Sequence, residues 1–145
     1  MNKVFLDANV IFSAANSDTG GSAYIFQLAK KIKLTLYSSR LAIKEAERNL
    51  RKKADTQKLL NFYDLLNQIP VKLIDVDRTK AKGKFSDLVG EKDSPIIASA
   101  IASKANFFLT LDKKHFLNEK VLKANLPIKI VNPSSFLSIQ LGRLV

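Results

Sequence analysis

Short apolar runs alternate along the chain with longer stretches of helical periodicity. Five runs are apolar enough to predict β-strands, and they span residues 4–6, 34–37, 71–74, 107–111 and 128–131. The run at 107–111 is almost unbroken in apolar character, which is typical of a central parallel strand buried on both faces. Strands that alternate with helices in this way predict an α/β fold with a largely parallel sheet.

Apolar residues at helical spacing predict the elements between these strands. They are a helix after a capping Ser22, one from Ser38 or Ser39 to about Lys53, one over residues 56–68 that Pro70 ends, one over residues 78–89, one that begins at Ser94-Pro95, and a last one from Asn132-Pro133. Gly83 weakens the fourth helix. In the fifth, Ser94 is interpreted as the cap and Pro95 as the first helical position. Residues 8–15 are apolar but ambiguous between helix and strand.

The composition restricts the class of protein. A length of 145 residues fits one domain, and we expect residues 1–145 to form it. The absence of cysteine excludes disulfides, thiolate metal sites and a catalytic cysteine. No apolar run approaches the roughly 20 residues that cross a bilayer, and the N-terminus lacks the apolar stretch of about 7–15 residues of a signal peptide. We therefore expect a cytoplasmic protein with no membrane association.

The charge balance points to a partner. Lysine and arginine together number 24 against 13 aspartate and glutamate residues, so the formal net charge is +11. Such an excess raises the concentration of polyanions near the surface, and nucleic acid is the commonest polyanion in this role. Charge alone does not distinguish a nucleic-acid-binding surface from an inert basic one.

Three acids fall at the ends of predicted elements. Asp7 directly follows the first strand, Asp112 follows the most apolar strand, and Asp93 lies just before a predicted helix start. A cap, a turn or a helix-dipole role explains each of them equally well when it is taken alone. Because sites in open parallel sheets lie beyond the carboxyl ends of the strands, the three together favour a shared site.

A cluster of carboxylates is suited to a divalent cation. Mg²⁺ and Mn²⁺ prefer oxygen ligands, and a cation relieves the repulsion that would otherwise keep some of the carboxyl groups protonated. Such an ion orients a phosphate, neutralises developing charge and lowers the pKa of a water molecule. An acidic pit within a basic surface therefore indicates a nuclease.

Four segments of the sequence resemble the PIN-domain family of ribonucleases. They are residues 4–11 with the pattern Asp7-Ala8-Asn9, residues 38–50, residues 93–100, and residues 108–112. Residues 131–137 also resemble the C-terminal end of small prokaryotic members, many of which are VapC-like toxins of toxin–antitoxin pairs. Together the resemblance covers nearly the whole chain.

The resemblance implies a three-layer fold with a mostly parallel five-stranded sheet, and hydrolysis of RNA that depends on Mg²⁺ or Mn²⁺. It assigns catalysis and metal binding to four acids, Asp7, Glu45, Asp93 and Asp112, and supporting roles to Asn9 and Thr110. It also implies an RNA substrate, a possible cognate antitoxin and a possible homodimer. Leu111, Lys113 and Lys114 depart from the family pattern of a glycine before Asp112 and a further acid after it, so one or two metal ions remain possible.

Two glutamates compete for the second acid position. Glu45 and Glu47 lie on opposite flanks of the apolar face of their helix, so periodicity does not choose between them. The family pattern, an acid followed five residues later by a leucine, favours Glu45. Glu47 is interpreted as a surface residue that pairs with Arg51.

Three further residues near the acids are interpreted by position. Arg48 and Lys113 are the candidates for contact with RNA, since each lies near a proposed acid. His115, the only histidine, is interpreted as an exposed or partly packed side chain, because a site of oxygen ligands does not need it.

Two other functions compete with the nuclease. A catalytically weak or inactive RNA-binding module of the same fold would bind RNA without metal. A phosphatase of the haloacid-dehalogenase type also begins with a strand and an aspartate, but its chemistry needs a second acid where this chain has Asn9.

Overall fold

The computed structural model describes the backbone of residues 2–144 and the side chains of residues 2–142. Its strands are β1 (Asn2–Leu6), β2 (Leu34–Ser38), β3 (Val71–Leu73), β4 (Phe107–Leu109) and β5 (Lys129–Val131). They form one sheet in the order β3-β2-β1-β4-β5, with all four pairings parallel. The predicted five-stranded α/β fold is confirmed, and over these residues the sheet is entirely rather than mostly parallel.

Nine helices connect and flank the strands within residues 2–144. They are α1 (Ala8–Asn16), α2 (Gly21–Lys31), α3 (Arg40–Lys53), α4 (Thr56–Gln68), α5 (Arg78–Ala81), α6 (Ser86–Val89), α7 (Ser94–Ala102), α8 (Glu119–Leu122) and α9 (Pro133–Leu144). Ser39 caps α3, and α4 ends just before Pro70, as the sequence predicts. None of the helices in the described range is long and apolar enough to span a bilayer.

The core has two parts, one on each face of the sheet. Because successive side chains of a strand point to opposite faces, Val4 and Leu6 of β1 pack with α1, α2, α3, α4 and α9, whereas Phe5 faces α6, α7 and α8. Phe108 of β4 continues this second face and stacks on Phe5 at 5.7 Å between ring centroids. The result is a three-layer arrangement in which β1 and β4 are buried on both sides.

The segment after β1 is helical, and the next helix begins earlier than predicted. Asp7 caps α1, which settles the ambiguous stretch as a helix. The prediction that Ser22 caps α2 is wrong, because Gly20 occupies the N-cap position. Ser22 is instead buried within the first turn.

The helix predicted over residues 78–89 is broken into α5 and α6, with Gly83 in the gap. The hydroxyl of Ser94 stabilises this break, since it donates to the carbonyl oxygen of Ala81 and accepts a 2.8 Å bond from the nitrogen of Phe85. Ser94 is therefore the first residue of α7 and not its cap, which corrects the prediction.

Candidate active site

The candidate site lies beyond the carboxyl ends of β1 and β4, which are neighbours in the sheet. Their last residues, Leu6 and Leu109, are in register. Asp7 extends this pairing with a 3.0 Å hydrogen bond from its backbone nitrogen to the carbonyl oxygen of Leu109. The register therefore places Asp7 beside Thr110, which is 103 residues away in the sequence.

Asp7 is buried and held by three hydrogen bonds, with 4% of its surface exposed. Its Oδ1 accepts from the backbone nitrogen of Ala8 at 2.8 Å and so caps α1. Its Oδ2 accepts from the Thr110 hydroxyl at 2.7 Å and from the Asn9 amide at 3.1 Å. The Asp7 carboxylate thus caps α1 with Oδ1 and contacts two other residues of the site with Oδ2.

Thr110 and Asn9 join the end of β1 to the loop after β4. Thr110 Oγ1 accepts from the backbone nitrogen of Asp112 at 3.1 Å while it donates to Asp7. The Asn9 carbonyl oxygen accepts from the backbone nitrogen of Leu111 at 3.0 Å. Both residues that the resemblance assigns a supporting role therefore contact Asp7 and fix it relative to the loop that carries Asp112.

The two glutamates of α3 have different surroundings. Glu45 lines the acidic cavity, with its Oε1 atom 3.2 Å from the Lys92 ammonium and its side chain 18% exposed. Glu47 accepts a hydrogen bond from the Tyr63 hydroxyl and pairs with Arg51 at 3.8 Å. Glu47 is thus engaged on the opposite flank of α3, away from the other acids.

Asp93 stands at the N-cap position of α7, but its side chain makes no capping hydrogen bond. Its Oδ2 atom lies 3.8 Å from Nδ1 of His115. Gly90, three residues earlier, has φ of +91°, a conformation that side chains other than glycine's rarely adopt. This turn ends α6 and leads into the segment that lines the cavity as far as Asp93.

Asp112 is fixed by the turn that follows it. Its Oδ1 accepts from the backbone nitrogens of Lys114 and His115, at 3.0 and 2.9 Å. Its Oδ2 lies 2.9 Å from Nδ1 of the His115 ring. The turn therefore places the imidazole against the second carboxylate oxygen.

All four predicted acids line one cavity of about 220 Å³. The other residues that line it are Ala8, Asn9, Asn49, Val89, Gly90, Glu91, Lys92 and His115. Four acids from four separate segments of the chain thus lie around one cavity, and it is the tertiary fold that brings them together.

The acids differ in their affinity for protons. The pKa of Asp7 is raised to about 7, mainly by burial and in part by the nearby charges of Asp93 and Glu45, while hydrogen bonds from Thr110 and Ala8 act to lower it. Burial also raises the pKa of Asp93. For Asp112, burial works upward, but the hydrogen bonds from His115 and Lys114 hold the pKa below its usual value. Crowded carboxyl groups with raised pKa values are stabilised as anions by a cation.

The donor atoms fit a divalent ion. One ligand atom from each of Asp93, Asp112 and His115 lies within 4.8 Å of the others. Asp7 and Glu45 add carboxylates along the wall of the same cavity. Carboxylate oxygens are the ligands that Mg²⁺ and Mn²⁺ prefer, so the residues present fit a bound metal.

A sequence model of one family covers most of the chain. The model for the PIN domain matches residues 3–114. The chain belongs to the PIN domain family. No curated protein sequence matches this PIN domain at a significant level.

Solved structures show the same fold at low sequence identity. VapBC2 from Rickettsia felis, solved with a DNA fragment from its promoter, matches with a TM-score of 0.64 and 19% identity over 90% of this chain and 98% of that one. VapBC-1 from nontypeable Haemophilus influenzae matches with a TM-score of 0.60 and 15% identity over 91% of this chain and 98% of that one. PAE2754 from Pyrobaculum aerophilum matches with a TM-score of 0.60 and 17% identity over 98% of each chain.

The PIN domain also contains site residues that the sequence analysis set aside. His115 was interpreted as an incidental side chain, yet it contacts Asp112 and lines the cavity with 43% of its side chain exposed. Lys92, to which the sequence pattern gives no role, lines the cavity and pairs with Glu45. Their closeness to Asp93 and Asp112 in the sequence was the available signal. Asn49 lines the cavity one turn after Glu45, a spacing that places both on one helix face.

The two predicted RNA contacts lie in different places. Arg48 lines a basic cavity of about 690 Å³ that shares Glu45, Glu91 and Lys92 with the acidic cavity. Lys113 is exposed and lines a separate cleft beside α2 and α9. The structure therefore brings Arg48 next to the acids, and it does not bring Lys113 to the same cavity.

Proposed function

We propose that this PIN domain is an endoribonuclease that depends on Mg²⁺ or Mn²⁺, with residues 1–145 acting as one nuclease domain in the cytoplasm. The observation that carries the proposal is the convergence of four acids in one cavity at the carboxyl edge of the sheet. The metal would be held by Asp7, Glu45, Asp93 and Asp112. Thr110 and Asn9 would hold Asp7 in place, and Lys92 would offset part of the negative charge near Glu45.

The chemistry is hydrolysis of an RNA phosphodiester. A divalent ion held at this site would supply charge neutralisation for the phosphate and a lowered pKa for the water nucleophile of an in-line hydrolysis. The acids would hold that ion, and the buried hydrogen bonds of Asp7 would fix the position of its carboxylate. By analogy with the family, the products carry a 5′-phosphate and a 3′-hydroxyl.

The test is cleavage of single-stranded RNA by the full, untagged chain. We expect turnover with added Mn²⁺ and loss of turnover in excess EDTA. Full activity in EDTA would contradict the metal mechanism. RNA binding without turnover in either condition would instead support the inactive RNA-binding module. Covalent phosphorylation of Asp7 would point to a phosphatase, which the asparagine at position 9 disfavours.

Arg48 is proposed to bind the RNA backbone beside the acids. The basic cavity that it lines also carries Arg78, Lys82 and Lys92, so a strand that enters the acidic cavity would pass cationic side chains. This arrangement agrees with a net charge of +11. The basic side chains would attract the phosphates while the acids hold the ion.

We expect Arg48→Gln to weaken RNA binding about three- to tenfold and to lower the slope of log affinity against log salt by about 0.7, the value for one phosphate contact on a single strand. Binding is measured in EDTA, so that no cleavage intervenes. Lys30 is an exposed residue of α2, so Lys30→Gln removes the same charge away from the site and is the matched control. Lys113→Gln tests the second predicted contact. Equal effects of Arg48→Gln and Lys30→Gln would contradict a specific contact.

A cognate antitoxin is the proposed protein partner. The support is the similarity of this fold to chains from two VapBC structures. A small acidic protein is expected, with a C-terminal segment that covers the basic cavity. Its gene beside this one, and rescue of growth on co-expression, would extend the function to a toxin. Pairing into a homodimer is a further proposal, which sedimentation of the purified chain would test.

A further inference from the structure

We infer that His115 supplies a nitrogen ligand to the metal site, so that the ion is held by mixed oxygen and nitrogen donors rather than by carboxylates alone. The inference rests on the proposed function for the presence of the ion. It assigns a role to the single histidine of the chain. The geometry of the turn after Asp112 is the observation that supports this ligand.

The imidazole is positioned by backbone contacts. Both the Lys114 and the His115 backbone nitrogens donate to Oδ1 of Asp112. The remaining oxygen, Oδ2, therefore faces the His115 ring at 2.9 Å. The carboxylate and the ring are presented side by side toward the cavity that both residues line.

The distances match one coordination sphere. Ligands at neighbouring corners of an octahedron with bonds of about 2.1 Å are about 3.0 Å apart, and ligands at opposite corners are about 4.2 Å apart. His115 Nδ1 lies 2.9 Å from Asp112 Oδ2 and 3.8 Å from Asp93 Oδ2. Both separations fall at or between these limits, so an ion can contact all three atoms with small side-chain movements.

The ring can act as a ligand in its neutral form. A neutral imidazole that places its proton on Nε2 has a lone pair on Nδ1. His115 is partly exposed, so water can accept the Nε2 proton as a hydrogen bond. When the ion binds, the hydrogen bond between His115 Nδ1 and Asp112 Oδ2 would be replaced by one bond from each of these atoms to the ion.

A nitrogen ligand changes the preference among ions. Imidazole favours later transition metals, whereas carboxylate and water suit Mg²⁺, Ca²⁺ and Mn²⁺. Compared with an all-carboxylate site, this one should therefore bind Co²⁺ more tightly relative to Mg²⁺. We expect His115→Ala to lower Co²⁺ affinity at least about tenfold while Mg²⁺ affinity changes less than about threefold.

The direct test is pulsed electron paramagnetic resonance of Mn²⁺ bound to the untagged protein. Selective ¹⁵N-histidine labelling marks one residue, because the chain has one histidine. We expect a strong nitrogen coupling that changes between ¹⁴N- and ¹⁵N-histidine protein and disappears in His115→Ala. Calorimetric titration of Co²⁺ and Mg²⁺ into both proteins gives the affinity ratio. The isotope comparison uses the wild-type protein, so it holds even where the variant folds poorly.

The outcomes separate this inference from the proposed function. Bound Mn²⁺ without an isotope-dependent coupling overturns the inference, and RNA cleavage by that same sample would leave the ribonuclease standing. Nitrogen coupling without RNA cleavage supports the ligand and removes the proposed activity. A protein that binds no ion overturns both. A His115 that only orients Asp112 would lower activity without giving the coupling, which also overturns the inference.

Discussion

Replacing Asp93 with asparagine is expected to lower metal-dependent RNA cleavage by about 10³-fold, equivalent to about 4 kcal/mol of transition-state stabilisation. The change removes one negative charge from the site and keeps the shape of the side chain. Asp93 makes no capping hydrogen bond to α7, so the substitution does not remove a helix cap. Initial rates at saturating Mn²⁺ measure the effect, and circular dichroism checks the fold.

Glu47→Gln is the matched control for this experiment. It removes one carboxylate from α3, but Glu47 is bound to Tyr63 and Arg51 on the flank away from the acidic cavity. We expect its activity to stay within about twofold of wild type, as for surface changes away from a site. A large loss in Glu47→Gln, with Asp93→Asn near wild type, would contradict the proposed assignment of the acids.

The metal-free protein is expected to lose about 3 kcal/mol of stability between pH 5 and pH 8, because the folded state holds a proton on Asp7 that the unfolded chain releases. The pKa of Asp7 is raised from 3.8 to about 7 by burial. A carboxyl group with a raised folded-state pKa stabilises the fold at low pH, and this contribution falls by about 1.4 kcal/mol per pH unit until pH 7. The raised pKa of Asp93 acts in the same direction.

Urea unfolding in EDTA at the two pH values measures this loss. Asp7→Asn keeps an oxygen that can cap α1 but has no proton to release, so its stability should vary much less with pH. At pH 8 the variant should be the more stable protein, although it lacks a proposed metal ligand. Apart from Asp7, the same groups titrate in both proteins, so the comparison cancels their contribution. A wild-type protein as stable at pH 8 as at pH 5 would contradict the burial of Asp7 as an uncompensated carboxyl group.

The sequence predicted the elements that local signals define. The apolar runs that became β1 and β4 gave the position of Asp7 and Asp112 at strand ends, because residues that follow parallel strands meet at one edge of the sheet. The sequence left the cap of α3 open between Ser38 and Ser39, and the structure places it at Ser39; the predicted end of α4 before Pro70 is correct. In each case the deciding interaction is between residues close in the chain.

Other features depended on contacts between distant segments. Ser94 has a typical capping sequence, but its hydroxyl bonds to Ala81 and Phe85 across the break between α5 and α6. Glu45 and Glu47 are equivalent by periodicity, and only the packing of α3 decides which flank faces the acids. The position of His115 at the site depends on the turn that places its ring against Asp112, which the side-chain type alone does not reveal.

The sheet order has a consequence for when the site comes into existence. β1 is synthesised before the other four strands, but in the sheet it lies between β2 and β4. The surroundings of Asp7 are therefore complete only after Thr110, 103 residues later in the chain, has been synthesised. An N-terminal fragment that stops before β4 lacks Thr110, Asp112 and His115, and therefore has neither the hydroxyl that fixes Asp7 nor the last carboxylate. Chains that end upstream of this strand, through early release from the ribosome or loss of their C-terminal part to proteolysis, therefore lack residues that the cavity needs.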